Sequence, residues 1–206
     1  FASLIRQWDP RGGGIFWQMQ TSPHASRQRA AVSNAPVATL GADLYQQTHN
    51  RSYLRWARRI FAWTNRVLLD HRTGLYDDHI DGNGRLSTVK RSYVQGVEIG
   101  AMTALQQSAP RAYPLSDTVR FAERTMAYFS NCNSTGSAEF RAVYFQNLLW
   151  LAHRAPSGRL LANIKRCMVN AIRHLTPQPF LLRNAAGAAE MIALNALPVR
   201  AYAKLF

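Results

Sequence analysis

Residues 33–45 read Ser33-Asn34-Ala35-Pro36-Val37-Ala38-Thr39-Leu40-Gly41-Ala42-Asp43-Leu44-Tyr45, and they set a pattern that the rest of the chain repeats. Apolar side chains recur every three or four positions, which predicts a helix. Ser33 or Asn34 is expected to cap its first turn, in which Pro36 is tolerated. The small pair Gly41-Ala42 would let a neighbouring helix approach closely.

The same spacing predicts six further helices along the chain. They cover about residues 52–69, 93–107, 116–129, 138–153, 158–175 and 183–197. No segment alternates between apolar and polar residues in the way that is typical of a strand. We therefore predict an all-α fold with no sheet of three or more strands.

The predicted helices come in pairs. A helix with a Gly-Ala step, at Gly41-Ala42 and again at Gly100-Ala101, is followed each time by a helix with bulky residues and arginines. Repeated αα-hairpins build solenoids or closed toroids, and the irregular repeat length favours a toroid. Seven or eight helices are too few for a ring of twelve. We predict one domain over residues 1–206, an incomplete (α/α)6 toroid that forms the C-terminal part of a larger barrel.

The charge of the chain is strongly basic, with 25 Lys and Arg residues against 11 Asp and Glu residues and a net charge of +14. The densest group of arginines falls on one face of the second predicted helix: Arg51, Arg55, Arg58, Arg59 and Arg66. We interpret this group as a solvated helix face. An Arg-rich binder of anionic polymers stays open as an alternative, although we do not expect a nucleic-acid partner. No apolar run approaches the length of a membrane span.

Cysteine, metal and cofactor signals are weak. Cys132 and Cys167 are the two cysteines, and the sequence leaves open whether they form a disulfide. Neither has the spacing of a zinc site. We expect no metal and no cofactor.

A glycine-rich loop precedes an aromatic pair at Gly12-Gly13-Gly14-Ile15-Phe16-Trp17-Gln18. Such a loop can hold the indole of Trp17 against a flat ligand such as a sugar ring. It can equally be a plain turn with an aromatic core anchor, and the loop alone does not decide between the two interpretations.

Four of the eleven acidic residues lie between Asp70 and Asp81, and three of them fall in the loop of residues 76–84. This loop can be an acidic turn, since Asp, Asn and Gly favour turns. It can also be a carboxylate site of the kind that glycoside hydrolysis uses, where two carboxyl groups act in different protonation states.

Four blocks of sequence together resemble glycoside hydrolase family 76. They are residues 12–18, residues 33–45, Gly-Leu-Tyr-Asp-Asp-His-Ile at 74–80 and Ser-Tyr-Val-Gln-Gly-Val-Glu-Ile-Gly-Ala at 92–101. Their order and approximate spacing agree with the family. The resemblance implies an endo-α-1,6-mannanase with an (α/α)6 barrel, an α-mannan or related oligosaccharide as ligand, and an extracellular or cell-envelope location.

The chain also departs from the family pattern. Family members carry a catalytic pair of adjacent aspartates upstream of the glycine-rich loop, where this chain has only residues 1–11 with the single acid Asp9. Asp77 matches a supporting position of the family, and Asp78 stands where glycine is usual. No residue is therefore assigned as nucleophile or general acid, and the chain as written is expected to lack the reaction centre. A non-catalytic carbohydrate-binding or scaffold protein of the same fold stays open.

The resemblance implies that five residues line a sugar groove at one end of the helices: Trp17, Asn34, Asp77, Tyr93 and Gln95. Trp17 would stack on a sugar ring, while the amides of Asn34 and Gln95 would pair with vicinal hydroxyls. Tyr93 and Asp77 would orient a hydroxyl or a neighbouring carboxyl group. For Trp17 and Tyr93, core packing is the competing interpretation.

Overall fold

The computed structural model describes residues 1–129, 137–155, 157–174, 182–198 and 201. The helices of this described part are α1 (Ala2–Ile5), α2 (Ala31–Thr48), α3 (Arg51–Val67), α4 (Ser92–Ser108), α5 (Leu115–Tyr128), α6 (Ala138–Arg154), α7 (Gly158–Arg173) and α8 (Leu182–Ala196). The strands are β1 (Arg29–Ala30), β2 (Leu69–Asp70), β3 (Leu75–Tyr76), β4 (His79–Ile80) and β5 (Leu86–Ser87).

All seven helices predicted from the apolar spacing are present, and apart from the start of α2 each bound lies within three residues of its prediction. The all-α fold class is therefore confirmed. None of the described helices has both the length and the apolar character needed to cross a bilayer.

The expectation that no sheet has three or more strands is wrong. β1, β4 and β5 form a small antiparallel sheet, in which Arg29 pairs with Ile80 and His79 pairs with Ser87. β2 and β3 form a separate hairpin. Each strand has only two residues, too few to produce an alternating pattern in the sequence.

The predicted start of α2 is also wrong by about one turn. The helix begins at Ala31, and Ser33 lies in its first turn with its hydroxyl accepting from the Ala30 N–H at 3.3 Å. The N–H of Ala31 is satisfied by the carbonyl of Asp78 at 3.0 Å. Because this partner comes from a segment almost fifty residues away, a local capping signal could not reveal it.

The described chain divides into two compact units, the first built from residues 1–90 and 100–114. In this unit α2 packs along α3 through small residues. A Cβ added to Gly41 would lie 3.1 Å from the carbonyl oxygen of Tyr53 and 3.2 Å from the Cβ of Ala57. The small pair Gly41-Ala42 thus does permit close helix approach.

The glycine-rich loop packs on the buried indole of Trp63. Gly13 and Gly14 have φ angles of +72° and +83°, in the left-handed region that suits glycine. A Cβ on Gly14 would lie 2.6 Å from the Trp63 ring, and the Trp63 Nε1–H donates to the Gly12 carbonyl at 2.9 Å. Trp63 is only 1% exposed, so this loop is tied directly to the core of the unit.

The second unit comprises residues 91–99 and 115–206. Helix α6 forms its centre, and its side chains are buried on most sides, including Tyr144, Phe145 and Leu148. The hydroxyls of Thr125 on α5 and Tyr144 lie 2.7 Å apart and share a hydrogen bond. Cys167 on α7 is disulfide-bonded, and Cys132 lies outside the described residues.

We predict that Gly14→Ala lowers the free energy of unfolding by about 2–4 kcal/mol, because a methyl group would meet the Trp63 ring in addition to straining the backbone. Gly84→Ala is the matched control. Gly84 has the same φ of +83°, but no atom lies within 4 Å of its added Cβ, so only the backbone strain of about 1 kcal/mol is expected. Urea unfolding of both variants measures the difference. Equal losses would show that the loop does not depend on packing against Trp63.

Candidate functional site

The side chain of Trp17 projects from a loop whose main chain is fixed. The Trp17 N–H donates to the Gln28 carbonyl at 2.8 Å, and the Phe16 N–H donates to the Gln7 carbonyl at 3.0 Å. The Trp17 side chain and backbone together are 52% exposed. The indole is therefore not a core anchor in this structure. A large apolar ring on a rigid loop is what stacking on a sugar requires.

Asn34 holds this loop on the first turns of α2. Its Oδ1 accepts from the Ile15 N–H at 2.6 Å, and its Nδ2 donates to the carbonyls of Ile15 at 3.1 Å and Ala30 at 2.8 Å. The residue has no exposed surface. Its donors and acceptor are engaged by the main chain and by the Ser33 hydroxyl.

A buried ion pair fixes the other side of the loop. Arg29 Nη1 lies 2.8 Å from Asp9 Oδ2 and also donates to the Gly13 carbonyl at 3.2 Å. A Cβ on Gly12 would lie 2.1 Å from Arg29 Nη1, so the guanidinium fills the space that this glycine leaves. Sequence reasoning missed Arg29. The only signal available was a basic residue just ahead of the predicted helix.

The Asp77-Asp78 segment lies beside the same end of α2. β4 follows these aspartates and pairs with β1, the strand that leads into α2. The Asp78 carbonyl accepts from the Ala31 N–H at 3.0 Å. Three of the four blocks that carry the family resemblance, those at 12–18, 33–45 and 74–80, therefore meet at the N-terminus of α2.

Asp77 is buried and paired with Lys90. The carboxylate of Asp77 is in direct contact with the Lys90 ammonium, which also lies 3.2 Å from Asp70 Oδ2. The side chain of Lys90 is 6% exposed and that of Asp77 is 4% exposed. Lys90 was not anticipated from the sequence, although it is one of only three lysines in the chain.

The neighbours of Asp70 favour the ionised form of its carboxyl group. The Thr73 hydroxyl, the Arg72 N–H and Lys90 hold the pKa of Asp70 well below its usual range. Interactions of this kind stabilise the fold above the ordinary pKa of about 3.9, and their contribution is lost as the pH falls through the lowered value.

Asp43, a carboxyl group outside the Asp77 segment, has a raised pKa. Burial raises the pKa of Asp43, which lies twelve residues beyond Ala31 on α2, about 18 Å along the helix axis. A retaining glycosidase needs a protonated acid about 5 Å from a carboxylate nucleophile. Asp43 is too far from the Asp77 segment to complete such a pair.

The remaining acids of this loop have local partners. Asp81 Oδ1 accepts from the N–H groups of Asn83 at 2.8 Å and Arg85 at 2.9 Å, and the bond from Arg85 is the main cause that lowers the pKa of Asp81. Asp78 Oδ2 lies 3.2 Å from His79 Nδ1. Residues 81–85 thus form an acidic turn. The described residues contain no group of His, Cys, Asp and Glu that could hold a metal ion.

Tyr93 and Gln95 belong to the second unit. The Tyr93 ring stacks on Phe140 with centroids 4.5 Å apart and an interplanar angle of 27°. Gln95 is fully buried, and its Nε2 donates to the Arg91 carbonyl at 3.3 Å. Their expected part in a sugar groove stays a prediction.

The sequence profile of glycosyl hydrolase family 76 matches residues 1–149, which is well over half of the chain. The chain belongs to glycosyl hydrolase family 76. This match confirms the resemblance carried by the four sequence blocks.

Curated relatives of this family 76 chain are fungal. A mannan endo-1,6-alpha-mannosidase of Candida glabrata is 28% identical over 179 residues, covering 77% of this chain and 40% of the relative. A mannan endo-1,6-alpha-mannosidase of Saccharomyces cerevisiae is 23% identical over 182 residues, covering 77% of this chain and 39% of the relative. The chain spans about two fifths of the length of these relatives.

Solved structures share the fold at low identity. The alpha-1,6-mannanase of Salegentibacter sp. HEL1_6, in an inactive variant with two neighbouring aspartates replaced by alanine and in complex with alpha-1,6-mannotetrose, matches with a TM-score of 0.78. It is 20% identical, and the match covers 94% of this chain and 65% of that chain. The likeness confirms the predicted fold class, part of an (α/α)6 toroid. A cellobiose 2-epimerase of Bacillus thermoamylovorans also matches, with a TM-score of 0.70 at 10% identity, so the fold alone does not fix the reaction.

We predict that Lys90→Met lowers the free energy of unfolding by about 3–5 kcal/mol, because it leaves the buried Asp77 carboxylate without its counter-ion. Arg120→Met is the matched control, since it removes the cation of the Arg120–Asp117 pair, in which the arginine side chain is 71% exposed. That change should cost less than about 1 kcal/mol. Chemical unfolding at neutral pH measures both. A loss for Lys90→Met as small as that of the control would contradict the proposed role of the buried ion pair.

Proposed function

We propose that this chain binds α-1,6-linked mannan and forms the glycan-binding part of a mannan hydrolase of family 76. The observation that carries the proposal is the exposed indole of Trp17 on a loop fixed by Asn34 and by the Asp9–Arg29 pair. A rigid aromatic face offers apolar area at little entropic cost. The relatives named above support mannan as the polymer.

Within the first unit, Trp17 has a different proposed role from Asn34 and Asp77. Trp17 contacts the sugar, because it alone of Trp17, Asn34 and Asp77 exposes a large surface. Asn34 and Asp77 act as positioning residues, since Asn34 holds the loop and Asp77 pairs with Lys90 beside the start of α2. Tyr93 and Gln95 are proposed to bind substrate from the second unit, as the family resemblance implies.

Hydrolysis of mannan by a protein of this family is proposed to use two aspartates, and we assign neither role to a residue of this chain. In a longer protein of this family, one aspartate would act as nucleophile and the other as general acid in a retaining hydrolysis. The inactive Salegentibacter variant, with two neighbouring aspartates replaced, supports the need for such a pair. Asp77 and Asp78 are neighbours as well, but Asp77 is held by Lys90 and Asp78 by His79.

The ion pair of Asp77 with Lys90 favours a second candidate function, that of a non-catalytic mannan-binding protein. Its support is that the carboxylate of Asp77 is buried against an ammonium group, a state suited to positioning rather than to proton transfer. Both candidates place the protein where mannan is found. We therefore propose an extracellular or cell-envelope location.

We predict that Trp17→Ala weakens binding of α-1,6-mannotetraose by about tenfold, because the stacking face is removed. Tyr128→Ala is the matched control, since Tyr128 is a 50% exposed aromatic residue on α5 of the second unit and has no part in the proposed sugar site. Calorimetric titration measures both affinities. Binding that is unchanged in Trp17→Ala would refute the placement of the sugar on this loop.

We predict that the purified chain releases no reducing ends from linear α-1,6-mannan. Loss of the nucleophile or the general acid removes several orders of magnitude in rate, and Asp77 and Asp78 are each engaged by a neighbouring basic side chain. A reducing-end assay measures the activity. Hydrolysis that is abolished by Asp77→Asn or Asp78→Asn would show that these residues form the reaction centre after all.

A further inference from the structure

Helix α3 carries a line of arginines on its outer face. All five are exposed, and they follow the three- and four-residue spacing of one helix side: Arg51, Arg55, Arg58, Arg59 and Arg66. The first and last are fifteen residues apart, about 22 Å along the axis. We call this group the α3 arginine stripe.

The stripe has no compensating acids. α3 contains no Asp or Glu, and none of the five arginines forms an ion pair within the part of the chain that the structure describes. A solvated face normally mixes both signs. Helix α5 shows that pattern, with Asp117 and Glu123 among its arginines and an Arg120–Asp117 contact of 2.6 Å.

Aromatic rings flank the stripe and orient two of its cations. The Arg59 guanidinium lies 4.6 Å from the centroid of Trp8 and 4.9 Å from that of Trp56. Arg58 lies 5.9 Å from the centroid of Tyr113. Cation–π contacts hold a guanidinium in place without neutralising its charge. Both tryptophans are half-buried, so part of each ring still reaches solvent.

We propose that the α3 arginine stripe binds a phosphate-bearing glycan chain. Arginine binds phosphate through two parallel hydrogen bonds, which lysine cannot do. Trp8 and Trp56 supply flat apolar area for sugar rings beside the charges. A membrane surface fits less well, because the large apolar side chains of α3, such as Ile60 and Phe61, are buried on the opposite face. That the carrier is a mannan rests on the proposed function, whereas the recognition of phosphate does not.

The test compares binding of the full chain to phosphorylated α-1,6-mannan and to the same mannan without phosphate. The variant is Arg55→Gln with Arg66→Gln, and the matched control is Arg120→Gln with Arg124→Gln, which also removes two exposed charges from one helix. We expect the stripe variant to weaken binding of phosphorylated mannan about five- to tenfold, with a smaller salt dependence. The control should change binding less than about twofold.

The outcomes separate this proposal from the previous one. Equal affinity of the stripe variant and the unaltered chain for phosphorylated mannan, with native circular dichroism spectra, would overturn the stripe as the site. Tighter binding of duplex DNA or of anionic vesicles than of phosphorylated mannan would overturn the glycan as its partner. If neutral mannan binds through Trp17 and the stripe variant binds phosphorylated mannan as tightly as the unaltered chain does, the proposed function is retained and the stripe proposal is rejected. Stripe-dependent binding of phosphorylated mannan without any binding of neutral mannan supports the stripe and contradicts the proposed function.

Discussion

One buried side-chain amide holds the candidate site together. Asn34 bonds to both the N–H and the carbonyl of Ile15 and to the carbonyl of Ala30, so the glycine-rich loop cannot leave the start of α2 without exposing unpaired polar groups. An unsatisfied buried polar group costs about 1–3 kcal/mol. Asn34 thus ties the loop that rests on Trp63 and carries Trp17 to Ala30, the last residue of β1. Asn34, which was expected to contact sugar, is therefore assigned a positioning role behind Trp17, the residue proposed to contact it.

The helical part of the fold follows from local pattern alone. In α2 the fully buried residues Ala35, Ala38 and Ala42 follow a three- and four-residue spacing, as expected of a helix that packs one face against a neighbour. The small residues Gly41 and Ala42 predicted close packing, and α3 does approach α2 at Gly41. The start of α2 and the three-stranded sheet could not be predicted in this way. Both are set by Asp78 and β4, which the chain brings to Ala30 and Ala31 only after folding.

The residues of the candidate site also fall into those that a local sequence pattern indicates and those that only the fold reveals. Trp17 could be selected from its sequence because a large aromatic after three glycines is locally unusual. Arg29 and Lys90 could not, since their importance comes from buried partners, Asp9 and Asp77, that lie twenty and thirteen residues away. The sequence indicates Asp77 as a candidate site residue, but it does not indicate that the carboxylate pairs with the ammonium group of Lys90. The sequence shows which residues are charged. How much an ion pair contributes to stability depends on its burial, which is a property of the fold.

Trp17 is proposed to offer its indole to a mannan chain while the rest of the loop stays fixed on the core. The five tryptophans of the chain each give one indole N–H signal in a nitrogen-15 NMR spectrum, which allows a direct test. Titration with α-1,6-mannotetraose should shift the Trp17 signal in proportion to occupancy. The Trp63 signal, whose N–H is bonded to the Gly12 carbonyl, should remain unchanged. Shifts at Trp63 with none at Trp17, or no shift at either indole at high sugar concentration, would contradict sugar binding by Trp17 on a fixed loop.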